Sequence, residues 1–330
     1  MSKTFKDKII DLIRQHGPIP MDQFISLSSY NYYNNCNSIV NDFITAPQVS
    51  QMFGEIVGIW ALSEYLKKGN EKPITIIELG PGSGIMMLDI LRNKKLANKI
   101  QNIFLYDISQ KLIEDQKKNL KNYLGLIKWF SSTQEIEENI QDDQYIIFVA
   151  NEFFDALPIK QYYKNQDMIK EVCVAVTNYE LSLVLSGTNN TKICSDHNDG
   201  IIEISAYWEN YLDFISTIIK KHCGSAIIID YGYIINEFKS SLQSVKNHQK
   251  CHILEHPGES DITSLVNFSY FAEIFQKHIL DIEIRTQEDF LLKFGIEDRA
   301  EVLKKNGSKN IEWQLEFLLK KMNNFFVITV

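Results

Sequence analysis

The chain has no excess of positive charge. Its 330 residues carry 34 Lys and Arg against 42 Asp and Glu, which gives a formal net charge of −8 at pH 7. Proteins that bind nucleic acid normally present a basic surface to the phosphates, so this balance argues against a nucleic-acid partner. Hydrophobic residues make up 45% of the chain. A sizeable core can therefore form, and global disorder is not expected.

The cysteines lack the pattern of a disulfide framework or a zinc site. There are five, an odd number, and no two of them form a Cys-x-x-Cys pair. His248, His252 and His256 recur at a helical spacing, but Pro257 and Gly258 follow at once and make a regular helix there improbable. We therefore expect no metal site, and the free thiols fit a reducing compartment.

Long apolar runs are also missing. No stretch approaches the ~20 apolar residues that a membrane-spanning helix requires. The first residues, MSKTFKDKIIDLIRQHGP, interrupt their apolar pattern with Asp7 and Asp11. A signal peptide has an uninterrupted apolar segment, and transit peptides avoid acids. We expect an amphipathic helix that ends at Gly17, no membrane insertion and a cytoplasmic protein.

Two regions with different patterns follow one another. Residues 1–70 are predicted to be helical, and TAPQVSQMFGEIVGIWALSEYLKK starts with Thr45 as an N-cap and repeats apolar residues at helical spacing. From residue 74, short apolar runs alternate with helical segments, in the order ITIIEL, NIFLYD, LIKWF, QYIIFVA and SAIIIDYG. Such alternation is typical of a parallel sheet covered by helices. We expect a helical extension over 1–70 packed on an α/β domain over 71–330.

Later segments add strands to this domain. Residues 159–186 are predicted to be a strand-rich insertion or edge, and DGIIEISAYWENYLDFISTIIKK is predicted to be helical. LDIEIRTQ and NNFFVITV are two further strand candidates near the end of the chain. They would close one edge of the sheet, although periodicity alone does not set the strand order.

A glycine-rich turn, ELGPGSG at residues 78–84, follows the first strand of the sheet. Glycines allow a tight turn and let a ligand approach the backbone. The nicotinamide fingerprint G-x-G-x-x-G has its last glycine one residue later than Gly80, Gly82 and Gly84 do. The turn instead resembles the first motif of class I S-adenosyl-L-methionine (SAM) methyltransferases. The resemblance implies that Glu78 serves the ammonium group of SAM. A turn that binds nothing is the structural alternative.

A second acid, Asp107, ends the second strand. A carboxylate at this position can accept hydrogen bonds from both ribose hydroxyls of a nucleoside. The structural alternative is an acid that stabilises the next helix N-terminus. The third strand ends in WFSS, where Ser131 and Ser132 occupy the place at which such enzymes often contact adenine. Together these residues complete the predicted cofactor site.

The segment NEFFDALPI, residues 151–159, follows the fourth strand, at the edge where open α/β sheets bind ligands. With this segment the chain resembles the MidA family of SAM-dependent methyltransferases, bacterial and mitochondrial proteins linked to assembly of respiratory complex I. The match covers nearly the whole chain, in the family's order: GPIPMDQFIS, DFITAPQVSQMFGEIVGIW, ELGPGSG, ANEFFDALPI, IDYGY, PGESDIT and TQEDFLLKFGIEDRA. The glycine motif occurs in many methyltransferases, whereas NEFFDALP together with PGESDIT is specific.

The resemblance implies a Rossmann-like class I SAM methyltransferase sheet with helices on both faces, SAM as the cofactor and methylation of a protein arginine. A complex I subunit is the implied candidate substrate. A guanidinium is planar and offers five donors, so carboxylates can orient it. Glu152 and Asp155 would do so, with Asn151 beside them as a third catalytic candidate. Further substrate-contacting candidates follow the fourth and fifth strands: Phe153, Phe154, Asp230 and Tyr231.

The chain also departs from this family. Asn41 replaces a usual glycine, and Leu265 and Asn267 stand where the family commonly has a His and an Asp. If that pair contacts the substrate in relatives, activity or substrate choice differs here. Two other functions therefore stay open: a catalytically weak or inactive SAM-binding assembly factor, and, with less support, a nicotinamide-dependent oxidoreductase. The oligomeric state is open as well.

Overall fold

The computed structural model describes residues 3–35, 45–68, 71–187, 198–235, 237–278 and 280–330. None of the helices in these ranges combines the length and the apolar character needed to cross a bilayer. Contacts divide the chain into two compact units. The smaller unit comprises residues 1–43, 155–210 and 234–267, and the larger comprises 44–154, 211–233 and 268–330.

The helices and strands of the described residues are numbered in chain order. The α-helices are α1 (Phe5–His16), α2 (Met21–Asn35), α3 (Ala46–Val49), α4 (Gln51–Lys67), α5 (Ile85–Ile90), α6 (Lys94–Ala97), α7 (Gln110–Asn119), α8 (Thr133–Asn139), α9 (Ala206–His222), α10 (Phe268–Lys277), α11 (Gln287–Lys293), α12 (Ile296–Lys305) and α13 (Ile311–Glu316). The strands are β1 (Ile19–Pro20), β2 (Ile74–Leu79), β3 (Ile100–Tyr106), β4 (Ile127–Phe130), β5 (Tyr145–Asn151), β6 (Lys160–Asn165), β7 (Met168–Thr177), β8 (Glu180–Gly187), β9 (Gly200–Ile204), β10 (Gly224–Tyr233), β11 (Gln243–Lys246), β12 (Gln249–Cys251), β13 (Asp261–Thr263), β14 (Val266–Asn267), β15 (Glu283–Thr286) and β16 (Phe325–Thr329).

The larger unit is built on a mixed sheet with the strand order β15-β16-β10-β5-β2-β3-β4. The strands β10, β5, β2, β3 and β4 are parallel, and β16 is antiparallel to both β10 and β15. After β2 the chain proceeds outward through β3 and β4, then returns to β5 on the other side of β2. The order therefore reverses between β2 and β5, and open α/β sheets bind ligands at such a reversal.

The core of this unit is apolar because its central strands consist mostly of apolar residues. The strands β2 and β5 are buried at every residue. Trp60 of α4 belongs to the same buried cluster as Ile76, Ile147, Ile229 and Val327, which come from four strands of the sheet. The combination of a mixed central sheet with helices confirms the predicted α/β fold class.

Two predicted helices are interrupted. A single helix was expected from Thr45 onward, but Ser50 adopts an extended conformation (φ −160°, ψ 139°) between α3 and α4. The Ser50 hydroxyl then accepts a hydrogen bond from the Met52 amide, so it caps α4. The segment GIIEI was expected to continue into α9 as a helix but forms β9, because it pairs with β6 in register Tyr162↔Ile202.

The smaller unit contains α1, α2 and two small sheets. In one sheet β7 pairs along one edge with β8 and along the other with β6 and then β1. These strands lie largely within residues 159–186, where strands were expected. The other sheet has the order β12-β11-β13. The boundary expected at residue 70 does not coincide with that between the units, since β1 pairs with β7 and places the first helices with the insertion.

Candidate cofactor site and active site

The predicted site residues of the larger unit follow neighbouring strands at one edge of the sheet. The backbone amides of Gly80, Asp107 and Glu152 each donate to a carbonyl of the adjacent strand, at 3.1, 3.1 and 2.9 Å. The strand pairing thus continues one residue beyond β2, β3 and β5. This edge coincides with the reversal of strand order, so the glycine turn, Asp107 and the start of NEFFDALP are brought together where the sheet can bind a ligand.

Glu78 is a buried carboxylate without a hydrogen-bond partner. It lies on β2 between Leu105 and Val149 of the neighbouring strands and is fully buried. Neither of its carboxylate oxygens has a donor within hydrogen-bonding distance. Burial, together with the negative charge of Asp107, raises the pKa of Glu78 to about 8. Burying an acid without partners lowers the stability of the fold. Such a residue is therefore expected where a cationic group binds.

The glycines of the turn have backbone conformations that other residues rarely adopt. The φ angles are 66° at Gly80, 52° at Gly82 and 80° at Gly84. A Cβ atom on Gly82 would have no heavy atom within 4 Å, whereas one on Gly84 would lie 3.1 Å from Cδ1 of Leu120. Open space therefore adjoins the turn at Gly82, while the turn is packed against the protein at Gly84.

Asp107 is 8% exposed, and the chain already orients its carboxylate. Oδ1 accepts from the Ser109 amide at 2.9 Å, and Oδ2 accepts from Nε2 of Gln116 at 2.7 Å. Burial raises the pKa of Asp107 to about 6, although these hydrogen bonds lower it. Each carboxylate oxygen has capacity for a second donor. The side chain can therefore receive a pair of hydroxyls without giving up its protein partners.

Sequence reasoning missed Gln116. This residue of α7 is fully buried, and besides Asp107 it contacts the carbonyl of Gly82 and the indole of Trp129. A signal was present, because Ile113, Gln116 and Leu120 share one face of the helical pattern. A polar residue on an otherwise apolar face needs buried hydrogen-bond partners.

Ser131 and Ser132 have structural roles at the start of α8. The Ser132 hydroxyl accepts from the Glu135 amide at 3.2 Å, which makes it the N-cap of the helix. The Ser131 amide donates to the Glu135 carboxylate at 3.3 Å. The Glu135 side chain thus reaches back to the residue that precedes the N-cap. Contact with adenine stays a prediction for both serines.

Asn151 and Glu152 form a tight turn after β5. Glu152 has φ 50°, a left-handed conformation that is uncommon outside glycine. Nδ2 of Asn151 donates to Oε1 of Glu152 at 3.2 Å, and Oδ1 of Asn151 is buried without a partner. Strained residues persist where the surroundings hold them and are concentrated at functional sites.

Phe153 and Phe154 differ in exposure. Phe153 is half-buried and packs edge-to-face against Tyr106 and Tyr211, whose hydroxyls are 2.7 Å apart. Phe154 is fully buried and packs on Phe271 with ring centroids 4.9 Å apart. The expectation that Phe154 contacts a substrate does not fit this burial, because its ring fills the core. Tyr106 and Tyr211 are aromatic neighbours of the turn that the sequence did not single out.

Asp230 also belongs to the interior. It is fully buried, and its carboxylate accepts from the amides of Phe154 and Tyr231 at 2.9 and 2.8 Å. Asp230 therefore holds the backbone after β5 against the end of β10. This geometry favours a positioning role over direct substrate contact. Tyr231 is half-buried, and its hydroxyl accepts from Nδ2 of Asn324 at 3.3 Å.

Asp155 is the first residue of a segment of the smaller unit. Its carbonyl accepts from the Ser264 amide at 2.9 Å, which ties Asp155 to the residue that follows PGESDIT. The Tyr33 hydroxyl donates to Oδ1 of Asp261 at 3.0 Å. Burial raises the pKa of Tyr33 well above its usual value, and the charges of Asp261 and Asp155 raise it further.

Leu265, a departure from the MidA pattern, donates its amide to the Ser241 hydroxyl at 2.9 Å. Asn41 lies outside the described residues.

No three His, Cys, Asp or Glu side chains of the described ranges are grouped so that they could hold a metal ion. His248 lies in the turn between β11 and β12, with φ 61°. A continuous helix through His248, His252 and His256 is therefore not formed.

The chain is similar to named methyltransferases. It is 29% identical to "Protein arginine methyltransferase NDUFAF7, mitochondrial" of Danio rerio, over 96% of this chain and 82% of that protein. The human protein of the same name is 28% identical, over 96% of this chain and 81% of its own. The fold matches that of a Burkholderia thailandensis protein crystallised with S-adenosyl-homocysteine, with a TM-score of 0.83, 19% identity and coverage of 98% and 91% of the two chains.

The relatives correct one expectation. A cytoplasmic protein was expected because the first residues resemble neither a signal peptide nor a transit peptide. The curated relatives from Danio rerio and human are named mitochondrial proteins, which contradicts that expectation.

A family model described as "Putative S-adenosyl-L-methionine-dependent methyltransferase" matches residues 56–284, more than half of the chain. The matched segment includes the glycine turn, Asp107 and the strained turn at Glu152. The resemblance to the MidA family is thereby confirmed. The chain belongs to this family of SAM-dependent methyltransferases.

Proposed function

We propose that the protein transfers a methyl group from SAM to an arginine of a protein substrate. The observation that carries the proposal is Glu78, a fully buried carboxylate with no hydrogen-bond partner, beside a glycine turn that is open at Gly82. SAM, when bound, supplies a methyl group on a sulfonium that a nitrogen nucleophile can attack. The names of the relatives support arginine as the acceptor.

The cofactor roles are divided among three groups. Glu78 would meet the ammonium group of SAM, because a cation offers the charge and the donors that this carboxylate lacks. Asp107 would accept the ribose hydroxyls with the lone pairs that Ser109 and Gln116 leave available. The open backbone at Gly82 would lie against the methionine part. Ser131 and Ser132 are retained as candidates for the adenine end.

The acceptor roles fall to the residues after β5. Glu152 and Asp155 would orient the guanidinium and hold its charge away from the attacking nitrogen, because carboxylates match its planar array of donors. Asn151 would hold the Glu152 carboxylate through their hydrogen bond of 3.2 Å. Phe153 and Tyr231, both half-buried, would contribute apolar walls that exclude water from the reacting nitrogen.

The MidA resemblance suggests a subunit of respiratory complex I as the substrate. A matching assay uses lysate from a strain that lacks this protein, purified enzyme and tritiated SAM. Label is expected in one or a few protein bands, and acid hydrolysis should yield methylarginine. Label on lysine or on a small molecule would overturn the arginine proposal but leave methyl transfer intact. Glu78→Gln is the control that should abolish labelling.

An inactive assembly factor that keeps the fold is the second candidate. It is favoured by Leu265 and Asn267, which replace the His and Asp common in the family. The same assay separates the two, because an inactive factor would bind SAM and label nothing. Restoring the pair with the double substitution Leu265→His and Asn267→Asp should then create activity if the replacements caused its loss.

A further inference from the structure

Gln116 joins three parts of the larger unit through one side chain. Its Nε2 donates to the carbonyl of Gly82 at 2.9 Å and to Oδ2 of Asp107 at 2.7 Å. Its Oε1 accepts from Nε1 of Trp129 at 2.8 Å. The side chain is fully buried. One amide therefore connects the glycine turn, the acid after β3 and the strand β4.

The three partners determine which way the amide points. The indole of Trp129 can only donate, so it must face the amide oxygen. The carbonyl of Gly82 and the carboxylate of Asp107 accept, so both must face the amide nitrogen, which has two hydrogens. If the amide were flipped, its NH₂ group would face the donor of Trp129, and its oxygen would face the acceptors of Gly82 and Asp107. Trp129 therefore fixes the orientation with which Gln116 holds Asp107.

A second amide of α7 gives a matched comparison. Nδ2 of Asn119 donates to the carbonyl of Ser83 at 2.9 Å, so it also binds the turn. Asn119 is exposed, whereas Gln116 is buried. Both amides therefore hold the turn, but Gln116 also contacts Asp107.

We propose that Gln116 is a positioning residue for the cofactor, which sets the Asp107 carboxylate and the Gly82 carbonyl in the one arrangement that receives SAM. This inference rests on the proposed function, in which Asp107 binds the ribose. Through its hydrogen bond Gln116 also favours the ionised form of Asp107. The charge of Asp107 in turn raises the pKa of Glu78, and Lys117 lies with Nζ 5.3 Å from the centroid of the Trp129 ring.

Three substitutions separate the position of the amide from its charge. Gln116→Met keeps the length of the side chain but removes both donors, so Asp107 loses a partner. SAM affinity should fall about tenfold, because a hydrogen bond to a charged group is lost. Gln116→Glu has the same shape but directs a carboxyl oxygen at Asp107, and it should weaken binding further. Trp129→Phe leaves both donors in place but frees the amide to rotate, so it should weaken binding least of the three.

The test is a calorimetric titration of SAM into the whole protein over a range of pH, with Asn119→Ala as the comparison. In wild type, affinity should decline in two steps as pH falls, first as Glu78 is protonated near pH 8 and then as Asp107 is protonated near pH 6. In Gln116→Met the second decline should begin at higher pH, because the ionised carboxylate of Asp107 has lost a donor. Asn119→Ala should lower affinity less and leave the pH of the decline in place.

The outcomes separate the inference from the proposed function. If wild type does not bind SAM, the proposed function fails. If wild type binds SAM while Gln116→Met and Asn119→Ala give equal affinities and the same pH dependence, Gln116 is only a structural residue. Should Gln116→Met fail to fold, Trp129→Phe tests the same claim at a half-buried position. Wild-type affinity and pH dependence in that variant would overturn the inference.

Discussion

Gly80 and Phe153 are packed so closely that a Cβ atom on the glycine would lie 2.7 Å from Cδ2 of the phenylalanine. The contact joins the turn after β2 to the segment after β5. These segments carry the proposed cofactor-binding and acceptor-binding residues, respectively. Any side chain at position 80 must therefore displace the ring next to Glu152.

The first prediction compares Gly80→Ala with Gly82→Ala. Both positions have positive φ, so each alanine is strained by about 1–2 kcal/mol. Gly80→Ala also collides with Phe153, and such overpacking adds about 1–3 kcal/mol of destabilisation. Denaturant unfolding should show the larger loss for Gly80→Ala.

Gly82→Ala should behave differently in SAM titrations. Its Cβ has open space in the protein, so the fold should persist. The added carbon occupies the side of the turn that the cofactor would approach, and affinity should fall steeply. Ser83→Ala serves as the control and should bind nearly as wild type does. Equal, small effects of Gly82→Ala and Ser83→Ala would mean that the turn is only structural.

The second prediction concerns the stability cost of Glu78. Its pKa is raised from 4.5 to about 8, so between these values the native state keeps a proton that the unfolded state loses. Stability therefore declines as pH rises through this window, by an amount on the order of 5 kcal/mol once the pH is above 8. Glu78→Gln removes this loss. Without SAM, the variant should gain stability relative to wild type as pH rises.

Denaturant titrations at pH 5 and pH 8.5 measure this difference. Glu114→Gln, on an exposed position of α7, is the control and should have the same pH dependence as wild type. A stability difference between Glu78→Gln and wild type that does not change with pH would show that Glu78 keeps its ordinary ionisation in the fold. Despite its greater stability, Glu78→Gln should lose SAM binding.

The third prediction concerns turnover. Glu152→Gln keeps the size of the side chain and the oxygen that accepts from Asn151, but it removes the charge proposed to orient the guanidinium. SAM should bind with nearly wild-type affinity, while methyl transfer falls about 100-fold, because a misaligned acceptor rarely reaches the reactive geometry. Asp155→Asn should act in the same direction. Wild-type labelling by both variants would exclude these carboxylates as the substrate clamp.

Much of the larger unit could be predicted because each of its strands has a recognisable local sequence pattern. The runs at β2, β3, β4, β5 and β10 are short, apolar and bounded by turn residues, which is the pattern of buried parallel strands. The order of the strands was not predictable, since it depends on pairings between distant segments. The segment that forms β9 was assigned to a helix for the same reason. The apolar residues of this segment fit the periodicity of a helix as well as that of a strand, and only the pairing of Ile202 with Tyr162 selects a strand.

The site was predicted where a residue type is unusual for its position. Glu78 in an apolar strand and the closely spaced glycines are such exceptions. Phe154 and Asp230 were given substrate contacts because each lies in a motif shared with the MidA family, but a motif does not tell exposed from buried side chains. Gln116 was missed because an isolated glutamine in a helix carries no sequence signature of its own, and its role depends on three partners from separate segments.

The most direct test is a calorimetric titration of wild type and Asp107→Ala with SAM, with NADH titrated in parallel. We predict that wild type binds SAM and not NADH. Asp107→Ala should lower SAM affinity about 100-fold or more, because two hydrogen bonds to a charged group are lost. Binding of NADH in place of SAM would refute the assignment of the cofactor, and wild-type SAM affinity in Asp107→Ala would refute the ribose-binding role of Asp107.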